Sequence, residues 1–197
     1  MYLKNWKKEI LTIPNLLSLF RLLLIPVYIT LYQHAFDPGD YILAASVLAV
    51  SCLTDMIDGK IARQYNQITT VGKVLDPFAD KMTQFALILC LAAKHNIIWI
   101  LVALFIIKES FMLVAGWIRL KNGRMLKGAL MSGKICTTIL FVSLILLILL
   151  PNIENRFVNI IAVIDIIFML LAFADYALAY FRGDSKFQDI DTTDINP

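Results

Sequence analysis

Apolar residues dominate the chain in six runs, most of them close to 20 residues long and separated by short polar segments. A helix of about 20 residues is needed to cross the roughly 30 Å of hydrocarbon in a bilayer. The runs therefore predict an all-α, polytopic membrane protein built as a six-helix transmembrane bundle. The predicted spans are residues 13–33, 41–58, 76–93, 97–120, 130–150 and 158–181.

The segments at the two ends of the chain are polar. Residues 1–12 carry three lysines ahead of the first apolar run and lack the small-residue cleavage site of a signal peptide, so the first run is interpreted as a retained span. Residues 182–197 form a polar tail that we expect to be poorly ordered. The whole chain, 1–197, is predicted to form a single membrane domain.

The composition excludes a soluble globular protein. Hydrophobic residues make up 59% of the chain and charged residues 17%, which leaves too few charged side chains to cover a water-facing surface. Three cysteines, Cys52, Cys90 and Cys136, stand in apolar surroundings without the spacing of a metal site. We interpret them as small buried residues, with no disulfide or thiol chemistry.

Lysine and arginine residues cluster on one side of the predicted membrane. By the positive-inside rule that side is the cytoplasm, so both termini and the loops after spans two and four are predicted to be cytoplasmic in a multi-pass protein of the cell membrane. The other side carries Lys94 and Arg156. The residues on the cytoplasmic side are Lys4, Lys7, Lys8, Lys60, Arg63, Lys73, Lys121, Arg124, Lys127, Arg182 and Lys186.

Four aspartates lie at the cytoplasmic ends of two otherwise apolar spans. Asp55 and Asp58 are three residues apart at the end of the second span, and Asp76 and Asp80 are four apart at the start of the third. Both spacings place a pair of side chains on one face of a helix. Because the two spans are consecutive and can lie antiparallel, we expect the four carboxylates to converge near the membrane surface.

A cluster of four carboxylates repels itself, and acids at membrane depth are costly unless they are neutralised. Carboxylate oxygens are the ligands that hard divalent cations prefer, and two such ions would also act as Lewis acids toward a phosphate. The alternative is that the acids are ordinary helix-end residues. Asp76 and Pro77 could then form an N-cap and first turn. Nearby cations could provide ion-pair partners, namely Lys60, Arg63, Lys73 and Lys81.

The residues around the acids favour a ligand site. Gly59 would let a bulky group approach the helix, and the small side chain of Ala62 leaves space on the same helix face. Arg63 could bind a phosphate through two hydrogen bonds. Gly72 gives the chain freedom before the third span, although a flexible loop alone would explain any single glycine. Together these residues form the pattern Asp55-x-x-Asp58-Gly59-x-x-Ala62-Arg63, eight residues, Gly72-x-x-x-Asp76-x-x-x-Asp80.

This pattern resembles the signature of the CDP-alcohol phosphatidyltransferase family at every fixed position. The resemblance implies a six-helix membrane bundle, usually a homodimer, with a polar cavity open to the cytoplasm. It also implies transfer of a phosphatidyl group from CDP-diacylglycerol to an alcohol, with two divalent cations, Mg²⁺ or Mn²⁺, as cofactors. The implied metal ligands are Asp55, Asp58, Asp76 and Asp80, of which Asp80 is also the general base. The implied CDP-binding residues are Asp55, Gly59, Ala62, Arg63 and Gly72.

Two acceptor alcohols fit the chain best, and inositol phosphate and serine are less favoured alternatives. Its opening residues, Ile13-Pro14-Asn15 and Arg21, are similar to those of family members that use sn-glycerol 3-phosphate and release phosphatidylglycerophosphate and CMP. This acceptor is our primary interpretation. Lys108-Glu109 departs from the Arg-Glu pair of those members, and residues 110–114 resemble members that form cardiolipin from CDP-diacylglycerol and phosphatidylglycerol. Cardiolipin synthesis is therefore the alternative.

A phosphate-bearing acceptor needs cations near the cavity, and the candidates are Lys108, Arg119 and Lys134. Lys108 interrupts an apolar span, where a charge indicates a cavity or a partner. Mutual neutralisation with Glu109 explains it equally well. Arg119 begins a basic stretch that could instead attract anionic lipid.

Two other classes of protein compete with a transferase. A divalent-metal transporter also places carboxylates in helices, but near the bilayer midplane and often within inverted repeats, and no repeat is visible in this sequence. A non-catalytic membrane scaffold would need no metal. The expected partners are CDP-diacylglycerol, a small polar alcohol, membrane lipids and a second copy of the chain, and no nucleic acid is expected.

Overall fold

The computed structural model of the 197-residue chain describes residues 12–64, 72–121, 124–126, 130–182 and 187–189, and a few helical residues, 55–64 among them, by their backbone alone. These ranges contain six α-helices and two short strands. The helices are α1 (Ile13–Gln33), α2 (Pro38–Gln64), α3 (Gly72–Ala92), α4 (Ile98–Lys121), α5 (Met131–Leu149) and α6 (Asn155–Arg182). The strands are β1 (Arg124–Leu126) and β2 (Phe187–Asp189).

Each of the six predicted spans coincides with one of these helices, and the predicted helical fold class is confirmed. The strands pair antiparallel, with Arg124 opposite Asp189 and Leu126 opposite Phe187. Strand β2 belongs to the polar tail, for which the sequence predicts poor order. That prediction was wrong for Phe187–Asp189, because backbone groups of β1 pair with these residues.

Four of the helices are long and apolar enough to cross a membrane, namely Ile13–Gln33, Ile98–Ile118, Met131–Leu149 and Asn155–Phe181. Helix α2 contains a shorter apolar stretch, Gly39–Thr54. Helix α3 carries Asp76, Asp80 and Lys81 among its 21 residues. Many large apolar side chains point outward, Leu113 for example being 75% exposed, as expected where lipid surrounds a helix. Spans two and three, and the orientation of the chain, stay predictions.

The described chain divides into two compact units, the first of which comprises Met1–Lys94 with Ile145–Asn152. In this unit α1 packs against both α2 and α3. Ala44 and Ala79 are completely buried, and small residues of this kind let membrane helices approach closely. Larger buried side chains fill the remaining space, among them Tyr32, Leu87 and Leu91.

The connection from α1 to α2 is fixed by hydrogen bonds at one end of the first unit. Asp40 accepts the backbone N–H groups of Phe36 (3.1 Å) and Asp37 (3.2 Å), and these two bonds lower the pKa of its carboxyl. The ammonium of Lys94 lies 4.5 Å from the ring centroid of Tyr32 and 4.3 Å from that of Tyr41, and it also donates to the Tyr41 hydroxyl. This cation therefore links the end of α3 to the α1–α2 connection.

The second unit comprises His95–Leu144 with Ile153–Pro197 and contains α4, most of α5, α6 and the strand pair. Helix α4 packs against α6, where the Phe111 ring meets Phe173 and Tyr180 edge to face, with centroids 5.2 Å and 6.0 Å apart. Such aromatic pairs contribute roughly 0.5–1.5 kcal/mol beyond the area they bury.

Two acids of α6, Asp165 and Asp175, bind serines of α5. Ser143 Oγ donates to Asp165 Oδ1 at 3.0 Å, and Ser132 Oγ donates to Asp175 Oδ2 at 2.6 Å. Hydrogen bonds between membrane helices are worth roughly 0.6–2 kcal/mol each. These acids therefore join α5 to α6 within the second unit.

Gly133 in the first turn of α5 lies directly against the Tyr176 ring. A Cβ atom at this position would lie 2.5 Å from Tyr176 Oη and 2.7 Å from Cε2. The ring is held in place because its hydroxyl accepts the backbone N–H of Leu130 at 3.2 Å. A side chain at residue 133 must therefore displace the ring.

We expect Gly133→Ala to lower the free energy of unfolding by about 1–3 kcal/mol, the usual cost of overpacking a filled interior. Thermal unfolding of the detergent-solubilised protein measures the effect. Gly39→Ala is the matched control, because a Cβ atom there has no neighbour within 4 Å. Equal melting temperatures for the two variants would show that the Tyr176 ring yields freely.

Candidate active site

The buried arginine of α1 lies at the centre of the candidate site, in the first unit. Arg21 Nη1 donates to Asp80 Oδ1 at 2.5 Å, and Arg21 Nη2 donates to Asp76 Oδ1. The arginine side chain is 3% exposed, whereas those of Asp76 and Asp80 are 45% and 46% exposed. One buried guanidinium thus binds two carboxylates from the interior of the unit, and the side chains of both acids stay about half exposed at its surface.

The buried face of α1 explains how the arginine reaches this position. Asn15, Ser18 and Arg21 are all buried, and their spacing of three residues places them on one face of the helix. Ser18 Oγ lies 3.1 Å from the Pro14 carbonyl oxygen and 3.4 Å from Asp76 Oδ1. Helix α1 therefore presents a polar face to the interior of the unit, as membrane helices do where they line a functional site.

The helix boundaries correct one interpretation of the sequence. Helix α3 begins by Gly72, so helical residues already precede Asp76, and Pro77 lies inside the helix. Asp76 is therefore not an N-cap, and that alternative explanation of the acid was wrong. Proline is frequent in the first turn of a helix, but this helix begins five residues before Pro77. Gly72 is the first residue of this helix. The sequence had suggested instead that Gly72 is a flexible position that precedes the third span.

The second predicted pair of acids lies on α2. This helix continues to Gln64, so Asp55 and Asp58 are also inside a helix, with Gly59, Ala62 and Arg63 following on the same helix. The side chains of these five residues lie outside the described part of the structure. Their predicted roles in binding metal and CDP stay predictions.

A small cavity shows how α2 and α3 are placed in the first unit. It is lined by residues of α1, α2 and α3, including Tyr28, Ser51 and Thr83. Asp55 follows Ser51 by four residues and Asp80 precedes Thr83 by three, in each case toward the segment that joins α2 to α3. This placement is compatible with convergence of the four acids. Among the described side chains, no group of three or more metal-binding residues is found. Of the four predicted metal ligands, Asp76 and Asp80 are the two whose side chains are described, and both contact Arg21.

The residues predicted to bind the acceptor phosphate belong to the second unit. Lys108 is 3% exposed, and its Nζ lies 2.8 Å from Glu109 Oε1, so the two charges neutralise each other as one interpretation predicted. Lys134 is exposed in the first turn of α5, and the Arg119 side chain lies outside the described residues. The acceptor role of these three residues stays a prediction.

Sequence reasoning noted Arg21 as part of an opening motif and missed its contact with the acids. The available signal was a lone arginine within an apolar run, because a permanent charge at membrane depth faces a partner or a cavity. The cations considered as partners from the sequence lie closer along the chain, and the side chains of three of them, Lys60, Arg63 and Lys73, lie outside the described part of the structure. The residue that the structure places against Asp76 and Asp80 is more than 50 positions away.

The helices and the paired acids define a membrane protein with two adjacent carboxylates, Asp76 and Asp80, in its first unit. Comparison with known families matches residues 11–174 to the CDP-alcohol phosphatidyltransferases. The chain belongs to the CDP-alcohol phosphatidyltransferase family. The family predicted from the signature, and with it the class of enzyme, is confirmed.

Several individual proteins are similar to this chain. A CDP-diacylglycerol–glycerol-3-phosphate 3-phosphatidyltransferase of Pseudomonas fluorescens is 38% identical over 90 residues, which cover 46% of each chain. A probable cardiolipin synthase (CMP-forming) of Drosophila melanogaster is 33% identical over 59% of this chain, and the match spans 35% of that relative. A CDP-diacylglycerol–glycerol-3-phosphate 3-phosphatidyltransferase of Aquifex aeolicus is 29% identical over 87% of this chain and 97% of its own length.

Proposed function

We propose that this protein transfers the phosphatidyl group of CDP-diacylglycerol to sn-glycerol 3-phosphate, giving phosphatidylglycerophosphate and CMP in phospholipid biosynthesis. The observation that carries the proposal is the pair of half-exposed carboxylates, Asp76 and Asp80, in a chain whose residues 11–174 match the family. A helical turn separates the two acids, so both can face one ligand.

The reaction forms one bond and breaks one bond at the phosphorus atom that carries the diacylglycerol. The acceptor hydroxyl oxygen bonds to this phosphorus, the bond from phosphorus to the oxygen of CMP breaks, and the hydroxyl proton must leave. We assign the proton to the carboxylate of Asp80. A positioned base of this kind contributes roughly 10²–10⁴-fold to a rate.

The residues of the site fit divalent cations. The donor set consists of carboxylate oxygens, which suit Mg²⁺ and Mn²⁺. Arg21 contributes one positive charge against the four negative charges of the predicted cluster, so Arg21 alone does not neutralise it. Asp76 and Asp80, with Asp55 and Asp58 from α2, would hold two such ions, which would polarise the pyrophosphate and stabilise CMP as it leaves.

The remaining members of the signature are assigned to the nucleotide. Gly59 and Ala62 leave space beside α2 for the cytidine group, Arg63 would bind a phosphate, and Gly72 at the start of α3 would permit close approach of the ligand. Asp55 would contact the nucleotide as well as metal. Lys108, Arg119 and Lys134 are proposed for the acceptor phosphate.

The setting of the enzyme is also proposed. The Lys and Arg distribution supports a cell-membrane protein whose termini and active site face the cytoplasm, and the family resemblance supports a homodimer. The outward apolar side chains of the membrane helices support contact with membrane lipids.

Cardiolipin synthesis is the second candidate. It is favoured by residues 110–114, which resemble cardiolipin-forming members, and by the similarity to the Drosophila relative, whose name specifies a CMP-forming cardiolipin synthase. The longer match to the Aquifex relative favours glycerol 3-phosphate instead.

A competition between acceptors tests the assignment. The detergent-solubilised protein is supplied with CDP-diacylglycerol, Mg²⁺ and equal concentrations of glycerol 3-phosphate and phosphatidylglycerol, and the lipid products are identified by mass spectrometry. We expect phosphatidylglycerophosphate as the main product. Cardiolipin as the main product would replace the assigned acceptor, and the absence of both products would refute transfer to either alcohol.

A further inference from the structure

Arg21 is conspicuous because it is a permanent cation in an apolar helix. Its side chain is 3% exposed, and its guanidinium contacts two acids of α3. Burying an arginine at membrane depth costs several kcal/mol unless partners offset the cost. Neither the signature nor the proposed chemistry gives this residue a task.

The geometry of the contact distinguishes arginine from any other cation. Arg21 uses two different nitrogens, Nη1 for Asp80 and Nη2 for Asp76. A planar guanidinium presents these donors at a fixed separation, whereas a lysine ammonium presents all of its donors from one point. Two carboxylates four residues apart on a helix repel each other, so without a bridge they would adopt rotamers that separate them.

We propose that Arg21 is a positioning residue that sets the separation and orientation of Asp76 and Asp80 for a divalent cation. The inference rests on the proposed function, because it assumes that these acids bind metal. The guanidinium approaches from the buried side and contacts the Oδ1 atom of each acid. About half of each acid's side chain stays exposed, so a cation can approach from the side opposite the arginine.

Arg21→Lys separates positioning from charge, because it keeps the positive charge and removes the two-nitrogen fork. Residues that orient metal ligands typically contribute 10–100-fold to metal affinity or activity. We expect Arg21→Lys to weaken Mn²⁺ binding by about 10–100-fold. The affinity is measured from the EPR signal of free Mn²⁺ during titration of the detergent-solubilised protein without lipid substrate.

The same change has a kinetic signature. The Mn²⁺ concentration that gives half-maximal CMP release should rise by a similar factor, while the concentration of CDP-diacylglycerol that gives half-maximal release at saturating Mn²⁺ should change little. Lys94→Arg is the matched control, because it exchanges one cation for another at the far end of α3 in the same unit. Its Mn²⁺ affinity should equal that of the wild type.

Size-exclusion elution and melting temperature establish that each variant is folded. If Arg21→Lys does not fold, Arg21→Gln takes its place, since its amide presents both N–H donors from a single nitrogen and cannot reproduce the two-nitrogen fork, and its Mn²⁺ binding should also weaken. Wild-type or tighter Mn²⁺ binding by the folded variant would overturn the positioning role and leave the proposed function intact. Absence of Mn²⁺ binding by the wild type would overturn the metal chemistry of the proposed function and this inference together.

Discussion

Asp80→Asn is expected to reduce CMP release by at least about 10²-fold, and by up to about 10⁴-fold if proton transfer limits the rate. Asparagine keeps the size of the side chain and an oxygen that can accept the bond from Arg21 Nη1, but it cannot take the proton of the acceptor hydroxyl. The measurement is the initial rate of CMP release from CDP-diacylglycerol at saturating glycerol 3-phosphate and Mg²⁺.

Asp40→Asn is the control for this substitution. Asp40 lies in the first turn of α2, at the end of the helix away from Asp55 and Asp58, where it accepts two backbone N–H groups. Its replacement should leave the rate unchanged. An Asp80→Asn variant that folds normally and retains more than about a tenth of the wild-type rate would exclude Asp80 as the base.

Removal of divalent cations is expected to abolish the reaction. The carboxylates that face the substrate would repel its pyrophosphate, and CMP would have to leave without charge neutralisation. Dialysis against a chelator should reduce CMP release to background, and either Mg²⁺ or Mn²⁺ should restore it. The readout is CMP release per protein before dialysis, after dialysis and after each addition.

A chelator that has been saturated with Mg²⁺ beforehand controls for direct effects on the detergent micelle or the protein, and it should leave the rate unchanged. Full activity after exhaustive chelation would show that the acids serve as ion-pair partners of Arg21 and not as metal ligands. The interpretation of these residues as structural would then be preferred.

The positions of the helices could be predicted from the sequence because hydrocarbon thickness fixes the length of an apolar run. The run at 13–33 matches α1 residue for residue, and the run at 130–150 exceeds α5 by one residue at each end. The ends of α2 and α3 were placed less well. Their terminal turns are polar, so the apolar pattern stops at Asp58 and starts at Asp76 although the helices extend to Gln64 and begin by Gly72.

The acids of the candidate site could be predicted from their spacing, whereas their partner could not. Asp76 and Asp80 share a face of α3 simply because they are four residues apart. The contact with Arg21 depends on how α1 packs against α3, which periodicity does not specify. The same holds for Asp165 and Asp175, whose serine partners on α5 are defined by helix packing.

Acceptor-dependent release of CMP is the direct test of phosphatidyl transfer to glycerol 3-phosphate. The wild-type protein in detergent is given CDP-diacylglycerol and Mg²⁺, with and without glycerol 3-phosphate, and CMP and phosphatidylglycerophosphate are quantified in the same samples. We expect equal amounts of the two products when glycerol 3-phosphate is present and little CMP when it is absent. CMP released at the same rate without the acceptor, or no CMP under either condition, would exclude transfer to glycerol 3-phosphate.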